Sequence, residues 1–313
     1  MLVIDPGDNP YLFPALIHTV QSLSANHEQY FPALAPIVAL EERGKALACF
    51  RNEVDQNQRP PRAFLLTVML MALAHGADCN MNDYGKQHLI AARIVINRML
   101  QNTSSLMDDE PLARLCLGMY LYWDMCTASL LDSDEELQIN SLNMSIAIHR
   151  MGNWHHPMYG PCTELLYILG NVGRYCRRIL DSQQRNFAQE AHVGATSMLL
   201  EVGKMINSRI RDSLIKYYAE ETVRHLMQIS ATSNYLNLQS LPLLAAGSEL
   251  PGSRNLLRAQ VRERLRAVYS LNRLPANLHT LQLLEELWNA RDNGNPSFWL
   301  YHMLQKNWRL LLG

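Results

Sequence analysis

The sequence is short of paired cysteines, of charge, of flexible linkers and of long apolar runs, and each shortage removes a class of protein. Its six cysteines stand at 49, 79, 116, 126, 162 and 176, no two of them closer than ten residues. A thiolate zinc site needs two cysteines on one short loop, so that both turn toward the same ion, and no Cys-x-x-Cys spacing exists here. A zinc module that reads DNA is therefore excluded from this sequence. A disulfide framework is not expected either, because 313 residues can bury a sizeable core without one and nothing marks the chain as secreted. Buried free thiols are the expectation.

Only 18% of the residues are charged and the net charge is −1, so no global field would gather nucleic acid or an anionic membrane. The longest uncharged apolar stretch, Ala63 to Ala77, is interrupted by His75 and is too short to span a bilayer. The opening MLVIDPGDNPYLF has an early Asp and no basic region, unlike a signal peptide, so an intracellular chain is expected. No Gly/Ser-rich or Pro-rich linker divides the sequence, which is read as one domain over residues 1–313. There is no Gly-rich phosphate loop, no G-x-S-x-G elbow, no His-Glu-x-x-His helix and no acidic metal motif. The expectation is a protein with no cofactor and no metal, leaning away from an enzyme.

What is present is helix. Arg62 to His75 is nearly all Leu, Met and Ala, which favours a buried helix over a β-branched strand. Ser133 with Glu136 forms a capping box ahead of a periodic segment that runs to about Met151. Glu110-Pro111, Gly160-Pro161 and Asn295-Pro296 place proline at the first helical position. Helices are predicted near 10–24, 32–54, 60–77, 82–102, 111–130, 134–150, 161–182, 186–238 with a break, 253–271, 276–291 and 296–312. Short connections favour sequential antiparallel neighbours, so the fold class is all-α: a single multi-helix domain of sequentially packed antiparallel helices.

The last seventy or so residues carry the most specific pattern. LPLLAAGSELPGSR leads to an arginine-laced helix from Asn255 to Leu271, then LQLLEELWNARD, then FWLYHMLQKNWRLLL. This order resembles the C-terminal end of the fungal-specific transcription factor domain, the helical regulatory region usually found behind a zinc binuclear cluster. Earlier segments resemble the same family in order: DNPYLFPALIHTVQSLS, RPPRAFLLTVMLMALAHGAD, GKQHLIAARIVINRML, DEPLARLCLGMYLYWDMCTASL and YGPCTELLYILGNVGRYCRRIL. The chain departs from the pattern at Leu166, where an aromatic is usual, and in lacking the cluster. The resemblance implies a regulatory helical domain standing without its DNA-binding part.

Two groups of residues are candidates for function. Tyr120, Trp123 and Asp124 share an aromatic and acidic helix, and a buried Asp124 would need a partner, for which Arg174 or His88 is suited. The loop NWHHPMYGPC adds Trp154, His155, His156 and Tyr159, side chains of the kind that line ligand pockets. Two consecutive histidines rarely point at one ion, so a packed loop is the alternative. The second group is Arg254, Arg258, Arg262 and Arg266, four apart, which a helix stacks into one stripe able to contact a partner or a polyanion. The competing reading is a solvated face opposite Leu257, Val261, Leu265 and Val268.

The functional expectation is a transcription-factor-like regulator acting through a protein partner or a homodimer, with a small-molecule effector as a further candidate. Direct sequence-specific DNA binding and membrane association are not expected. The resemblance implies the nucleus ahead of the cytoplasm and secondary-metabolite genes as a setting. The alternative is a repurposed helical scaffold that binds or transforms a small molecule in a fungal biosynthetic pathway.

Overall fold

The computed structural model describes residues 13–26, 34–55, 61–76, 84–101, 111–132, 141–152, 154–158, 160, 162–189, 208–295 and 297–312. Among these residues there are twelve α-helices and no extended strand. They are α1 (Pro14–Asn26), α2 (Ala35–Asp55), α3 (Pro61–Gly76), α4 (Lys86–Gln101), α5 (Pro111–Thr127) and α6 (Ser141–Met151). After them come α7 (Thr163–Gln189), α8 (Ser208–Gln228), α9 (Ser240–Ser248), α10 (Asn255–Asn272), α11 (Pro275–Asp292) and α12 (Trp299–Gln305). The chain forms two compact units, one of residues 1–78, 85–120 and 137–156, the other of 79–84, 121–136 and 157–313. No helix among the described residues is long and apolar enough to cross a membrane.

In the first unit α1 packs on α2 and α3, α3 on α4, and α4 on α6. Small residues let α1 and α2 approach closely: Ala15, Thr19, Ser22, Ala39 and Ala46 are all buried, and the Ser22 hydroxyl donates to the Ala39 carbonyl at 2.8 Å. The Ala15 N–H in the first turn of α1 donates to the Glu53 carboxylate at 3.2 Å, placing negative charge where the helix dipole favours it. Leu65, Val68, Leu89, Ile96 and Leu100 complete the core between α3 and α4, each worth about 1.5–3 kcal/mol of burial for a side chain of this size.

The C-terminal part of the second unit is built around α9, whose neighbours are α8, α10, α11 and α12. Gly247 ends its apolar run because a side chain there would press on Val261 at 3.3 Å and Leu284 at 3.5 Å. Trp288 on α11 is buried, and its indole N–H donates to the Gly247 carbonyl at 2.8 Å. A polar network closes the start of α11: Ser240 donates to Asn277 at 2.7 Å and Asn277 to Asn272 at 3.0 Å.

Most described helix boundaries lie within a few residues of the sequence expectation, with exceptions. The helix expected to run to 238 ends at Gln228, and α9 (Ser240–Ser248) falls in the stretch between 238 and 253 where no helix is expected. α7 runs to Gln189 where the sequence suggested a stop near 182. The last helix begins at Trp299, not at 296, and ends at Gln305. Asn307 takes a left-handed φ of 55°, a conformation asparagine tolerates, and the Trp308 N–H then closes on the Met303 carbonyl at 3.1 Å. The buried Leu310, Leu311 and Leu312 follow as non-helical chain. The Ser133–Glu136 capping box, Glu110, Pro161 and Pro296 lie outside the described residues.

Candidate functional site

The charged residues of α7 are drawn inward by two glycines. A side chain at Gly170 would meet the Arg174 guanidinium at 3.3 Å and Asp124 Oδ2 at 3.4 Å, and one at Gly173 would lie 3.1 Å from Ala128 Cβ. Their absence lets the helix backbone approach the 124–128 segment closely enough for Arg174 Nη1 to donate to Asp124 Oδ2 at 2.7 Å, both groups buried. Arg174 is one of the two partners suggested for Asp124, and its Nη2 also donates to Asn171 at 2.8 Å.

One turn on, Arg177 caps the end of α5. Its Nη1 donates to the Ser129 and Leu130 carbonyls at 3.3 Å, Nε donates to Asp181 at 2.7 Å, and Nη2 to Asp132. Arg309 lies 3.6 Å from the same Asp132, and burial, followed by the neighbouring Arg177, lowers its pKa. The sequence reading missed Arg177 and Asp132. The Arg177–Asp181 spacing of four was the only local signal, and it does not disclose the contacts with 129–132. With donors and acceptors paired, this cluster organises α7 and leaves little charge for chemistry.

Beside it, burial raises the Tyr122 hydroxyl well above the ordinary tyrosine range and pushes the Cys126 thiol up to about 12, the two groups being hydrogen-bonded one turn apart. A thiol held neutral in this way is not a nucleophile at physiological pH. Trp123 is buried with its indole N–H lacking an acceptor among the described residues.

Tyr120, Trp154, His155 and His156 belong to the first unit. Tyr120 is fully buried, His155 is exposed, and His156 is buried with Nε2 donating to the Leu115 carbonyl at 3.1 Å. Burial lowers the His156 pKa, partly opposed by that bond. Trp154 sits edge-on to His156 with ring centroids 5.5 Å apart. The neighbouring histidines thus occupy different environments, and no group of three His, Cys, Asp or Glu suited to a metal ion occurs among the described residues. Tyr159 lies outside the described residues. Trp123, Asp124 and Arg174 belong to the second unit.

Three members of the arginine stripe are tied to acids of neighbouring helices. Arg254 donates to Glu220 on α8 at 2.8 Å, and Arg262 pairs with Glu285 on α11. Arg258 is buried: Nε and Nη2 donate to the Leu250 carbonyl at 3.2 and 2.8 Å, while Nη1 and Nη2 grip Asp292 at 2.6 and 2.9 Å. The guanidinium groups of Arg258 and Arg262 also lie 5.1 and 4.8 Å from the centre of the Trp288 ring. These arginines hold Glu220, Glu285 and Asp292 below the usual carboxylate range. Arg266 is exposed. A cavity of about 390 Å³ adjoins this region, with Lys216, Glu249, Gly252, Arg291 and Asp292 in its wall. Two of its acids are already paired, Glu249 with Arg291 at 2.7 Å and Asp292 with Arg258.

Among the described residues the helices are locked by internal ion pairs, and the polar groups of the candidate sites are engaged with one another. No curated protein and no solved structure matches the chain. The family described as the fungal specific transcription factor domain matches residues 7–212 and 195–313, which together take in nearly the whole sequence. The chain belongs to the fungal-specific transcription factor domain family, and the closely packed α9, α10 and α11 are the physical content of its C-terminal signature.

Proposed function

We propose that this chain is a transcriptional regulator that reaches DNA through a protein partner. The observation that carries the reading is the joint one: a transcription-factor regulatory domain occupies nearly all of a sequence in which no two cysteines are closer than ten residues. Within these 313 residues no cysteine spacing offers a zinc cluster, so what this region itself contributes to regulation is contact with protein. The arginine stripe supports the same direction, because Arg254, Arg258 and Arg262 are engaged with internal acids and a phosphate backbone would have to compete for them. The nucleus is the proposed place of action, a small-molecule effector the proposed input, and secondary-metabolite genes the first class of target to test.

Fusing the chain to a heterologous DNA-binding domain tests the reading. Reporter output from a promoter carrying that domain's sites is expected to change relative to the DNA-binding domain alone, while the purified chain fails to select any sequence from random duplex DNA at physiological salt. Sequence-selective binding by the chain itself, or a folded fusion that leaves the reporter unchanged, would contradict it.

A further inference from the structure

One helix carries two faces that each call for a partner. The inward face of α7 holds Leu166, Gly170, Arg174, Arg177 and Leu180, all buried. On another face Leu165, Ile168, Leu169, Val172 and Tyr175 stand between 43 and 63% exposed. Their spacing of three and four residues repeats every seven, which keeps an apolar seam on one side of a helix and is the pattern by which two helices pair along their length. Five large apolar groups on one seam exceed what scattered surface hydrophobics explain.

The flank of the seam says what fits it. Glu164, Asn171 and Arg178 recur seven apart along one edge, all exposed, with the acid toward the N-terminal end and the base toward the C-terminal end. A parallel copy of the helix would set Glu164 against Glu164 and Arg178 against Arg178. An antiparallel copy turned about a two-fold axis near Gly170 and Asn171 sets Glu164 against Arg178 twice. It also lays the seam on itself, with Leu165 and Ile168 meeting Tyr175 and Val172. We infer that α7 is a homodimerisation helix, pairing antiparallel with the α7 of a second copy of this chain.

The seam spans about 15 Å of helix, and its five side chains are too few to cover the roughly 800 Å² per partner of a standard stable interface. The dimer is therefore a reversible one, with a dissociation constant in the micromolar range. This deepens the partner-binding reading above and rests on it for its biological purpose. It is measured on purified protein, so its failure and the failure of the promoter-tethering experiment are separately visible.

Sedimentation equilibrium of the full chain from about 1 to 100 µM, a range that brackets the expected constant, should show a monomer–dimer equilibrium. Val172→Glu should weaken it more than about a hundredfold, since each of two carboxylates would be buried against Ile168 of the other copy, with helical circular dichroism unchanged. Glu164→Arg should weaken it about tenfold, and Glu164→Arg with Arg178→Glu should restore it. In a Cys162→Ser, Cys176→Ser background, Val172→Cys should cross-link to itself with a short bismaleimide. Leu165→Cys should not, its two copies being about 15 Å apart along the helices in the antiparallel arrangement. A monomer at every concentration, cross-linking at both positions, or a Val172→Glu monomer that melts like a core mutant, as it would if the chain's own residues covered the seam, would overturn the inference.

Discussion

At the scale of single residues, the second unit depends on charges that are buried only because they are paired. Asp124 and Arg174 are 1% and 8% exposed, so removing either leaves the other uncompensated in a place water does not reach. Asp124→Ala should cost about 3–5 kcal/mol in urea unfolding, whereas Asp124→Leu with Arg174→Met should recover most of that loss. Equal losses in the single and double variants would mean that the pair is not coupled. His156 gives a pH prediction with a definite sign. Its folded pKa is below the usual 6.5, so below that pH the unfolded chain takes up a proton that the folded chain refuses. Its contribution is present above pH 6.5 and is lost as pH falls toward the depressed value. Thermal unfolding of His156→Gln should show a shallower acid-side loss of stability than the wild type, and an identical slope would contradict it. That Asp124 needs a partner was legible from its place on an apolar helix. That Arg177 would cap 129–130 was not, because a sequence does not disclose which of several nearby arginines reaches a carbonyl that is distant in the chain.

At the scale of helices, the segments that made the family recognisable are the segments that touch. Ala-Ala-Gly in α9 and Leu-Leu-Glu-Glu-Leu-Trp in α11 are joined by the bond from the Trp288 indole to the Gly247 carbonyl. Trp288→Phe keeps most of the ring volume but removes that bond, leaving the Gly247 carbonyl to the Leu250 N–H at 3.2 Å, and should cost about 1 kcal/mol by denaturant titration. The arginine stripe divides in the same way. Arg258→Ala removes a buried guanidinium that serves both Leu250 and Asp292 and should cost about 2–3 kcal/mol, while Arg266→Ala on the exposed side should stay within about 0.5 kcal/mol. Equal effects at the two positions would mean that the stripe acts as one surface. Helix existence was readable because apolar periodicity and proline entrances are local. Where α12 stops was not readable, because Asn307 can continue a helix or leave it in the left-handed conformation, and the buried Leu310–Leu312 decide between them through packing.

At the scale of the whole molecule, the regulatory-domain match over residues 7–212 and 195–313 takes in nearly the whole sequence, and a net charge of −1 gives no global field that would gather nucleic acid. The all-helical class and the family were legible because both rest on the order of many weak signals. The seam of α7 was not singled out from sequence, because apolar residues on both of its faces read as one buried helix until the structure separates the exposed set from the buried one. The central claim, that the chain controls gene expression, is tested most directly by transcript abundance in a fungal strain lacking this protein and in the same strain with it restored. A defined set of transcripts should change on deletion and return on complementation. Transcripts that stay constant while a small-molecule product disappears would contradict the account and mark the chain as a catalyst or carrier.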